Sequence, residues 1–165
     1  MDIYPQDGRI NIHPGEWYFG REYNTIYTVL GSCVALTAWH PKLKLGGMCH
    51  YLLPKVLKNK HTNDPLGADA GGRYAETALR LMKQAMLRYA KLSDYQLGLF
   101  GGGGAANYNV GAENIDYAQQ WLQAEHLELI QSDVGGAYSR SLMLDLSLGL
   151  ITLKSYPMVT SENLL

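Results

Sequence analysis

Short runs of apolar and β-branched residues fill the segment from residue 17 to residue 52, a texture typical of β-strands. The predicted strands are Trp17–Phe19, Thr25–Leu30, Val34–Trp39 and Leu45–Leu52. The last two are joined by residues 40–44, a connection short enough for a hairpin. We therefore expect these two strands to pair antiparallel.

The period changes after residue 74, where apolar side chains recur every three or four positions and predict an amphipathic helix over Tyr74–Lys91. The residues of this stripe are Ala75, Ala78, Leu79, Met82, Ala85, Met86 and Tyr89. A second helix is predicted around Ile115–Leu122, with Asn114 as its N-terminal cap. Both apolar stripes are interpreted as core packing.

The remaining predicted strands are Leu97–Phe100, Leu127–Ile130, Leu142–Leu146 and Leu150–Leu153, the last two forming a hairpin. Residues 1–16 are expected to be an irregular entry, 54–73 a long exposed loop and 157–165 a C-terminal tail of a single domain over 1–165. The order of strands, helix, strand, helix and hairpin predicts mixed α and β layers, not a doubly wound sheet.

Composition supports a folded globular domain, since 47% of the 165 residues are hydrophobic and 10% are aromatic. A formal net charge of −1 and scattered basic residues argue against nucleic-acid binding. No apolar run is long enough to insert into a membrane, and the N-terminal residues show no secretory pattern. We therefore expect a cytoplasmic protein in which Cys33 and Cys49 are free thiols.

The first candidate for chemistry is Leu30-Gly31-Ser32-Cys33. A lone cysteine in a strand is usually packing, but a preceding Gly-Ser allows a tight turn whose backbone N–H groups converge beside the sulfur. Acyl transfer needs such donors where an oxyanion develops. The motif therefore makes Cys33 a candidate nucleophile, with Gly31 and Ser32 forming the turn.

His50 lies seventeen residues beyond Cys33, near the end of the second hairpin strand. Antiparallel pairing brings it beside the start of the first strand, where its imidazole is able to accept the thiol proton. Neighbouring residues of a strand face opposite sides, so Cys49 is assigned to packing. Thr28, on the strand that leads into the turn, is a candidate partner for His50, although strand propensity alone also explains a threonine there.

A zinc site built from Cys33, Cys49, His50 and either His40 or His61 is an alternative, but these residues lack the spacing of common zinc motifs. The run Gly101–Gly104 lacks the Gly-Lys-Ser/Thr ending of a phosphate-binding loop. Its glycines, Gly102 and Gly103 among them, are interpreted as allowing close backbone approach beside the site. Arg140 is expected to brace the Gly135-Gly136 turn.

Several motifs together resemble the chemoreceptor glutamine deamidase family, CheD. They are Thr28–Ala35, Gly46–Pro54, Tyr74–Ala78, Phe100–Ala105, Val110–Asn114 and Asp133–Arg140. The likeness extends over residues 17–155, and the Leu-Gly-Ser-Cys motif followed by Gly-Gly-x-x-His-x-x-Leu-Pro at this spacing is its most specific part.

The resemblance implies Cys33 as nucleophile, His50 as general base and Thr28 as the third site residue. If the loop before the turn has one residue more, as in some family members, Tyr27 takes the place of Thr28. The resemblance also implies a layered α/β sandwich similar to the catalytic domain of deamidating cytotoxic necrotizing toxins. It further implies chemotaxis receptor helices as substrate, a chemotaxis phosphatase as a partner, and no metal or organic cofactor.

Two other functions remain open from the sequence. One is a chemotaxis regulatory binding module with little catalysis. The other is a different Cys-His acyl-transfer enzyme, such as a protease, a transglutaminase or a methylesterase, because the pair alone does not select between amide and ester substrates.

Overall fold

The computed structural model describes residues 8–55, 71–104 and 109–158. Within these ranges the chain forms the strands β1 (Arg9–Asn11), β2 (Trp17–Gly20), β3 (Thr25–Leu30), β4 (Val34–His40), β5 (Leu45–Tyr51), β6 (Gln96–Gly101), β7 (Leu129–Val134), β8 (Tyr138–Asp145) and β9 (Ile151–Pro157). Two α-helices, α1 (Ala75–Leu87) and α2 (Val110–Ala124), complete the described part, together with a 3₁₀ turn at Leu92–Asp94.

The strands form two sheets, a four-stranded sheet in the order β1-β3-β8-β9 and a five-stranded sheet in the order β2-β5-β4-β6-β7. Neighbouring strands are antiparallel except for the parallel pairs β1·β3 and β6·β7. The predicted mixed α+β layered architecture is confirmed. The predicted pairing of β4 with β5 is also confirmed, with Ala35 opposite His50.

Alternation along β4 divides the interior into two cores. Val34, Leu36 and Ala38 pack towards the helices, whereas Ala35 and Trp39 pack between the two sheets. Both faces of this strand are buried, which explains its nearly continuous apolar sequence. The molecule is therefore layered as four-stranded sheet, five-stranded sheet and helices.

The helix limits differ from the prediction. Helix α1 ends at Leu87, not at Lys91, and Tyr89 is half exposed instead of lying in the buried stripe. Helix α2 begins at Val110, so Asn114 lies inside it and not at its cap. Among the described residues, no helix is long and apolar enough to span a membrane.

The strand limits differ too. Arg9–Asn11 is a strand inside the segment expected to be irregular, too short to produce a recognisable alternation. Strand β7 occupies 129–134 instead of 127–130, and β8 and β9 extend beyond the predicted hairpin. The predicted loop over 54–73 lies mostly outside the described residues, as do residues 1–7 of the entry and 159–165 of the tail.

Candidate active site at the turn between β3 and β4

The turn from β3 to β4 carries Gly31, Ser32 and the partly exposed Cys33. Backbone hydrogen bonds hold it against the end of β6, because Gly102 N–H donates to the Cys33 carbonyl at 2.8 Å and Gly103 N–H donates to the Gly31 carbonyl at 2.9 Å. A side chain at Gly101 would collide with the Cys33 carbonyl, and one at Gly103 with the Tyr138 carbonyl. The interpretation of the glycine run as a place of close backbone approach is therefore confirmed.

His50 projects from the same face of the five-stranded sheet as Cys33. Its paired residue Ala35 and its neighbour two positions away, Met48, belong to the core between the sheets, and Cys33 packs against that core. Continuing the β4·β5 register by one residue sets Cys33 opposite Leu52. His50 is thus its diagonal neighbour, at a spacing of about 7–8 Å between Cα atoms, within reach of a long side chain.

The hydrogen bonds of Thr28 determine the tautomer of His50. The Thr28 hydroxyl lies 2.7 Å from the Ile12 carbonyl and 2.7 Å from His50 Nδ1. A hydroxyl has one proton, and a carbonyl only accepts, so that proton goes to Ile12. The Thr28 oxygen then accepts from His50, which places the ring proton on Nδ1 and leaves a lone pair on Nε2.

His50 Nε2 is buried and has no hydrogen-bond partner among the described residues. In particular, no hydrogen bond joins this atom to the Cys33 sulfur. A buried imidazole nitrogen without a partner is costly in a folded protein and is therefore more often seen at functional sites than elsewhere. The ring is thus held by Thr28 at Nδ1, whereas the lone pair on Nε2 is able to accept a proton.

Burial changes the protonation of both side chains. It lowers the pKa of His50 to about 4, an effect to which His13 adds and which Glu16 opposes. Burial also raises the pKa of the Cys33 thiol, against a smaller lowering by its own backbone N–H. At neutral pH the site therefore holds a neutral imidazole and a neutral thiol, not a preformed ion pair.

His13 and Glu16 belong to the loop between β1 and β2, which also holds the His50 backbone. Gly15 N–H donates to the His50 carbonyl at 2.8 Å, and His50 N–H donates to the Glu16 carbonyl at 3.1 Å. The backbone of the imidazole-bearing residue is thus fixed by this loop on one side and by β4 on the other.

The other candidate residues from the sequence lie away from the contact between Thr28 and His50 or outside the described residues. Tyr27 contacts Arg9, whose guanidinium lies 4.1 Å from the centre of its ring, and not His50. Cys49 is buried in the core beneath the helices, as strand alternation predicted, and burial raises its pKa to about 12. Within the described ranges, no three His, Cys, Asp or Glu side chains are grouped closely enough to hold a metal ion. His61, one of the zinc candidates, lies outside those ranges.

Arg140 is almost fully buried although it carries a charge. Its guanidinium donates to the Gly135 carbonyl at 2.7 Å, to the Gly101 carbonyl at 3.3 Å and to the Asp133 carboxylate at 2.9 Å. The expected bracing of the Gly135-Gly136 turn is present. Through Gly101, the same side chain also supports the segment that holds the turn between β3 and β4.

The sequence interpretation missed Asn114 as a residue of the site. Its Nδ2 donates to the Ser32 carbonyl at 3.1 Å and to the Leu52 carbonyl at 2.9 Å, and the residue is fully buried. A signal was available, because Gly111, Asn114, Ala118 and Leu122 form the buried stripe of α2. A polar residue on a buried stripe requires partners, which a helix cap would not have explained.

A family model described as CheD chemotactic sensory transduction matches residues 52–155. This match covers both described α-helices and all but the end of the C-terminal strands, and it begins after Cys33 and His50.

Curated relatives match a longer part of the chain. A probable chemoreceptor glutamine deamidase CheD 1 of Chromobacterium violaceum is 34% identical over 158 residues, which cover 91% of this chain and 79% of that protein. Proteins named probable chemoreceptor glutamine deamidase CheD occur in Pseudomonas fluorescens, at 38% identity over 88% of this chain and 83% of the relative, and in Pseudomonas syringae pv. tomato, at 35% identity over 93% and 92%.

Proposed function

This chain belongs to the CheD family, and on that basis we propose that it converts glutamine side chains of chemotaxis receptors to glutamate, with Cys33 as nucleophile. The observation that carries the proposal is the state of His50. Its Nδ1 is bound to Thr28, and its Nε2, on the face of the sheet from which Cys33 projects, has no partner among the residues that the structure describes. The names of the relatives support the substrate class, and the shared sheet face of His50 and Cys33 supports the choice of base and nucleophile.

In the first half-reaction, His50 Nε2 takes the thiol proton as the Cys33 sulfur attacks the carboxamide carbon of the glutamine. The raised pKa of Cys33 and the lowered pKa of His50 favour proton transfer during attack over a resting thiolate. The Ser32 and Cys33 N–H groups stabilise the oxyanion that develops. The carbon–nitrogen bond then breaks, and His50 returns the proton to the leaving ammonia.

The thioester that remains is hydrolysed in the second half-reaction. Water attacks the acyl carbon while His50 Nε2 accepts one of its protons. The carbon–sulfur bond breaks, the proton returns to the sulfur, and the glutamine has become glutamate at the cost of one water molecule. These steps need no metal or organic cofactor.

The contact missing in the resting structure, Nε2 to sulfur, fits this scheme. Catalytic hydrogen bonds are often long or absent without substrate and form only when the substrate is bound. The backbones of Cys33 and His50 are roughly 7–8 Å apart. Rotation about the Cα–Cβ bond of Cys33 brings its sulfur closer to the His50 ring. Thr28 meanwhile keeps the imidazole plane fixed.

Two further properties stay predictions of the family resemblance. One is location in the cytoplasm, where the receptor helices are found, and the other is a chemotaxis phosphatase as partner. The likeness to the deamidating toxins also stays a prediction.

Mass spectrometry of a receptor cytoplasmic fragment tests the proposal. Incubation with the protein is expected to convert the side-chain amide of specific glutamines to a carboxylate. The variants Cys33→Ala and His50→Ala are expected to abolish this conversion. A folded wild-type protein that leaves every glutamine intact would refute the deamidase assignment. Persistence of receptor regulation with Cys33→Ala would instead indicate a binding module.

A further inference from the structure

The backbone of the catalytic turn is held at three successive carbonyl groups, each by a different donor. Gly103 N–H holds the Gly31 carbonyl, the Asn114 carboxamide holds the Ser32 carbonyl, and Gly102 N–H holds the Cys33 carbonyl. The three hydrogen bonds are 2.9, 3.1 and 2.8 Å long.

Each carbonyl belongs to the same planar peptide unit as the N–H of the next residue, and in a trans peptide the two point in opposite directions. Fixing the Gly31 carbonyl therefore fixes the Ser32 N–H. Fixing the Ser32 carbonyl fixes the Cys33 N–H. In the part of the chain that the structure describes, neither of these two N–H groups has a backbone acceptor.

From this arrangement we propose that Asn114 is a positioning residue for the deamidation reaction, which aims the Cys33 N–H at the oxyanion by holding the Ser32 carbonyl. The inference rests on the proposed function. Of the three donors, Asn114 alone is a side chain, so it alone can be removed by substitution without altering the backbone.

The orientation of the Asn114 carboxamide is unambiguous. Both Nδ2 protons are used, one for the Ser32 carbonyl and one for the Leu52 carbonyl, and a flipped amide would set Oδ1 against two carbonyl oxygens. In the adopted orientation Oδ1 is buried and has no partner within residues 8–55, 71–104 and 109–158. An acceptor is thus left unsatisfied within these ranges, while the two donors hold the end of β5 and the catalytic turn together.

The rest of Asn114 is fixed as well. It lies in α2, and the Tyr51 hydroxyl donates to its backbone carbonyl at 2.6 Å. Its carboxamide thus reaches the turn from a helix whose own position is tied to the end of β5. Because Asn114 is rigid, the Cys33 N–H that it orients is already in place before the substrate binds. Little reorganisation is then needed when the oxyanion forms.

The test compares Asn114→Ala with the wild type in two reactions of the same sulfur. Deamidation of a receptor cytoplasmic fragment requires oxyanion donors, whereas alkylation of Cys33 by iodoacetamide displaces iodide and forms no oxyanion. We expect kcat for deamidation to fall about 10- to 100-fold, with KM and the alkylation rate within about twofold of wild type.

Tyr95→Phe is the matched control, because it also removes one buried side-chain hydrogen bond, from the Tyr95 hydroxyl to the Met86 carbonyl at 2.7 Å. It is expected to lower the unfolding midpoint while leaving kcat unchanged. Asn114→Ser, which keeps one short donor, is expected to fall between Asn114→Ala and the wild type in kcat.

Two results would overturn the proposal: an unchanged kcat in a folded Asn114→Ala, or an alkylation rate that falls in parallel with kcat, which would mean that the thiol itself is disturbed. If Asn114→Ala does not fold, Asn114→Ser is judged by the same two rates.

If the wild type does not deamidate at all, the proposed function fails separately. The positioning role is then tested by acetylation of Cys33 with p-nitrophenyl acetate, which passes through the same kind of oxyanion.

Discussion

At the scale of single residues, the chemistry of the site depends on where one proton is placed. The Thr28 hydroxyl gives its proton to the Ile12 carbonyl and thereby requires the His50 ring proton to lie on Nδ1. The reactive lone pair is then on Nε2, the nitrogen that has no partner in the described structure. Thr28 thus specifies the tautomer as well as the ring orientation.

Replacing Thr28 by valine keeps the shape of the side chain but removes the acceptor for His50 Nδ1. We expect kcat to fall about 10- to 100-fold, because the tautomer and the ring plane are no longer fixed. Thr28→Ser is expected to restore most of the activity. Steady-state deamidation kinetics of the three proteins checks this, and a fully active Thr28→Val would exclude Thr28 from the site.

Stability should depend on the charge of His50 in acid. Its pKa is about 4 in the folded chain and 6.5 in an ordinary environment, so below pH 6.5 the unfolded chain binds a proton that the folded chain does not. The contribution of neutral His50 to the free energy of unfolding is therefore fully present above pH 6.5, and it is lost as the pH falls towards 4. Between pH 7 and pH 5 this single group is expected to remove about 2 kcal/mol from the free energy of unfolding.

Urea unfolding at both pH values measures this loss, with His50→Gln as the comparison. The wild type is expected to lose about 2 kcal/mol more than His50→Gln over this range, since that variant has no group to titrate at position 50. His126→Gln, at an exposed histidine after α2, serves as the control and should behave like the wild type. Equal losses in wild type and His50→Gln would contradict the assigned pKa.

The roles of these residues could be foreseen only in part from the sequence. The motif around Cys33 and the register of His50 pointed to the site, and the contact between Thr28 and His50 is present. The buried stripe of α2 marks Asn114 as a polar residue that requires partners, but it does not say which residues these are. Its partners, the carbonyls of Ser32 and Leu52, are 82 and 62 residues away along the chain.

At the scale of elements, the end of β6 shapes the turn between β3 and β4 that carries Cys33. Gly101 has φ of +104°, and a side chain there would collide with the Cys33 carbonyl. The glycine run was predicted to allow close approach. The strand that it approaches was not predictable, because the pairing of β4 with β6 joins residues 57 to 67 positions apart along the chain.

Gly101→Ala is expected to disturb the turn as well as the fold. The positive φ and the collision should lower the free energy of unfolding by at least about 2 kcal/mol. They should also lower kcat by about tenfold or more, because the turn must move. Chemical denaturation and deamidation rates at a temperature where the variant is folded measure the two effects.

Gly149→Ala is the matched control, at the tip of the β8–β9 hairpin. Gly149 also has a positive φ, of +73°, and an added methyl group would press on the Trp39 ring. This variant is expected to lose stability but retain its kcat. Loss of kcat in both variants would show that the effect of Gly101→Ala is not specific to the turn that carries Cys33.

At the scale of the whole molecule, the site exists where the two sheets meet. Thr28 belongs to the four-stranded sheet, whereas His50 belongs to the five-stranded sheet, so their contact requires the sheets to be packed correctly. The layered class followed from the order of elements. The sheet to which each strand belongs did not, since alternation alone does not distinguish one buried sheet face from another.

Arg140 is a second polar link between the sheets. It lies in β8 of the four-stranded sheet and donates to Asp133 in β7 and to Gly101 in β6, both in the five-stranded sheet. Arg140→Met would leave the Gly135 carbonyl without this donor and is expected to cost about 2–4 kcal/mol in the free energy of unfolding.

Asp133→Asn is the comparison, because the Asp133 side chain is 47% exposed and a solvated ion pair contributes about 1 kcal/mol or less. Unfolding by denaturant should therefore rank Arg140→Met well below Asp133→Asn in stability. If the two variants are equally stable, the carbonyl contacts of Arg140 do not hold the sheets together.

The proposed reaction depends on a covalent acyl-enzyme at Cys33. Its most direct test is rapid acid quenching of the wild-type protein with a glutamine-containing receptor fragment, followed by mass spectrometry of the intact protein and of its peptides. We expect a transient species with the mass of protein plus fragment minus one ammonia, attached at Cys33 and absent in Cys33→Ala. Deamidation that continues in Cys33→Ala, without any adduct at this sulfur in the wild type, would contradict it.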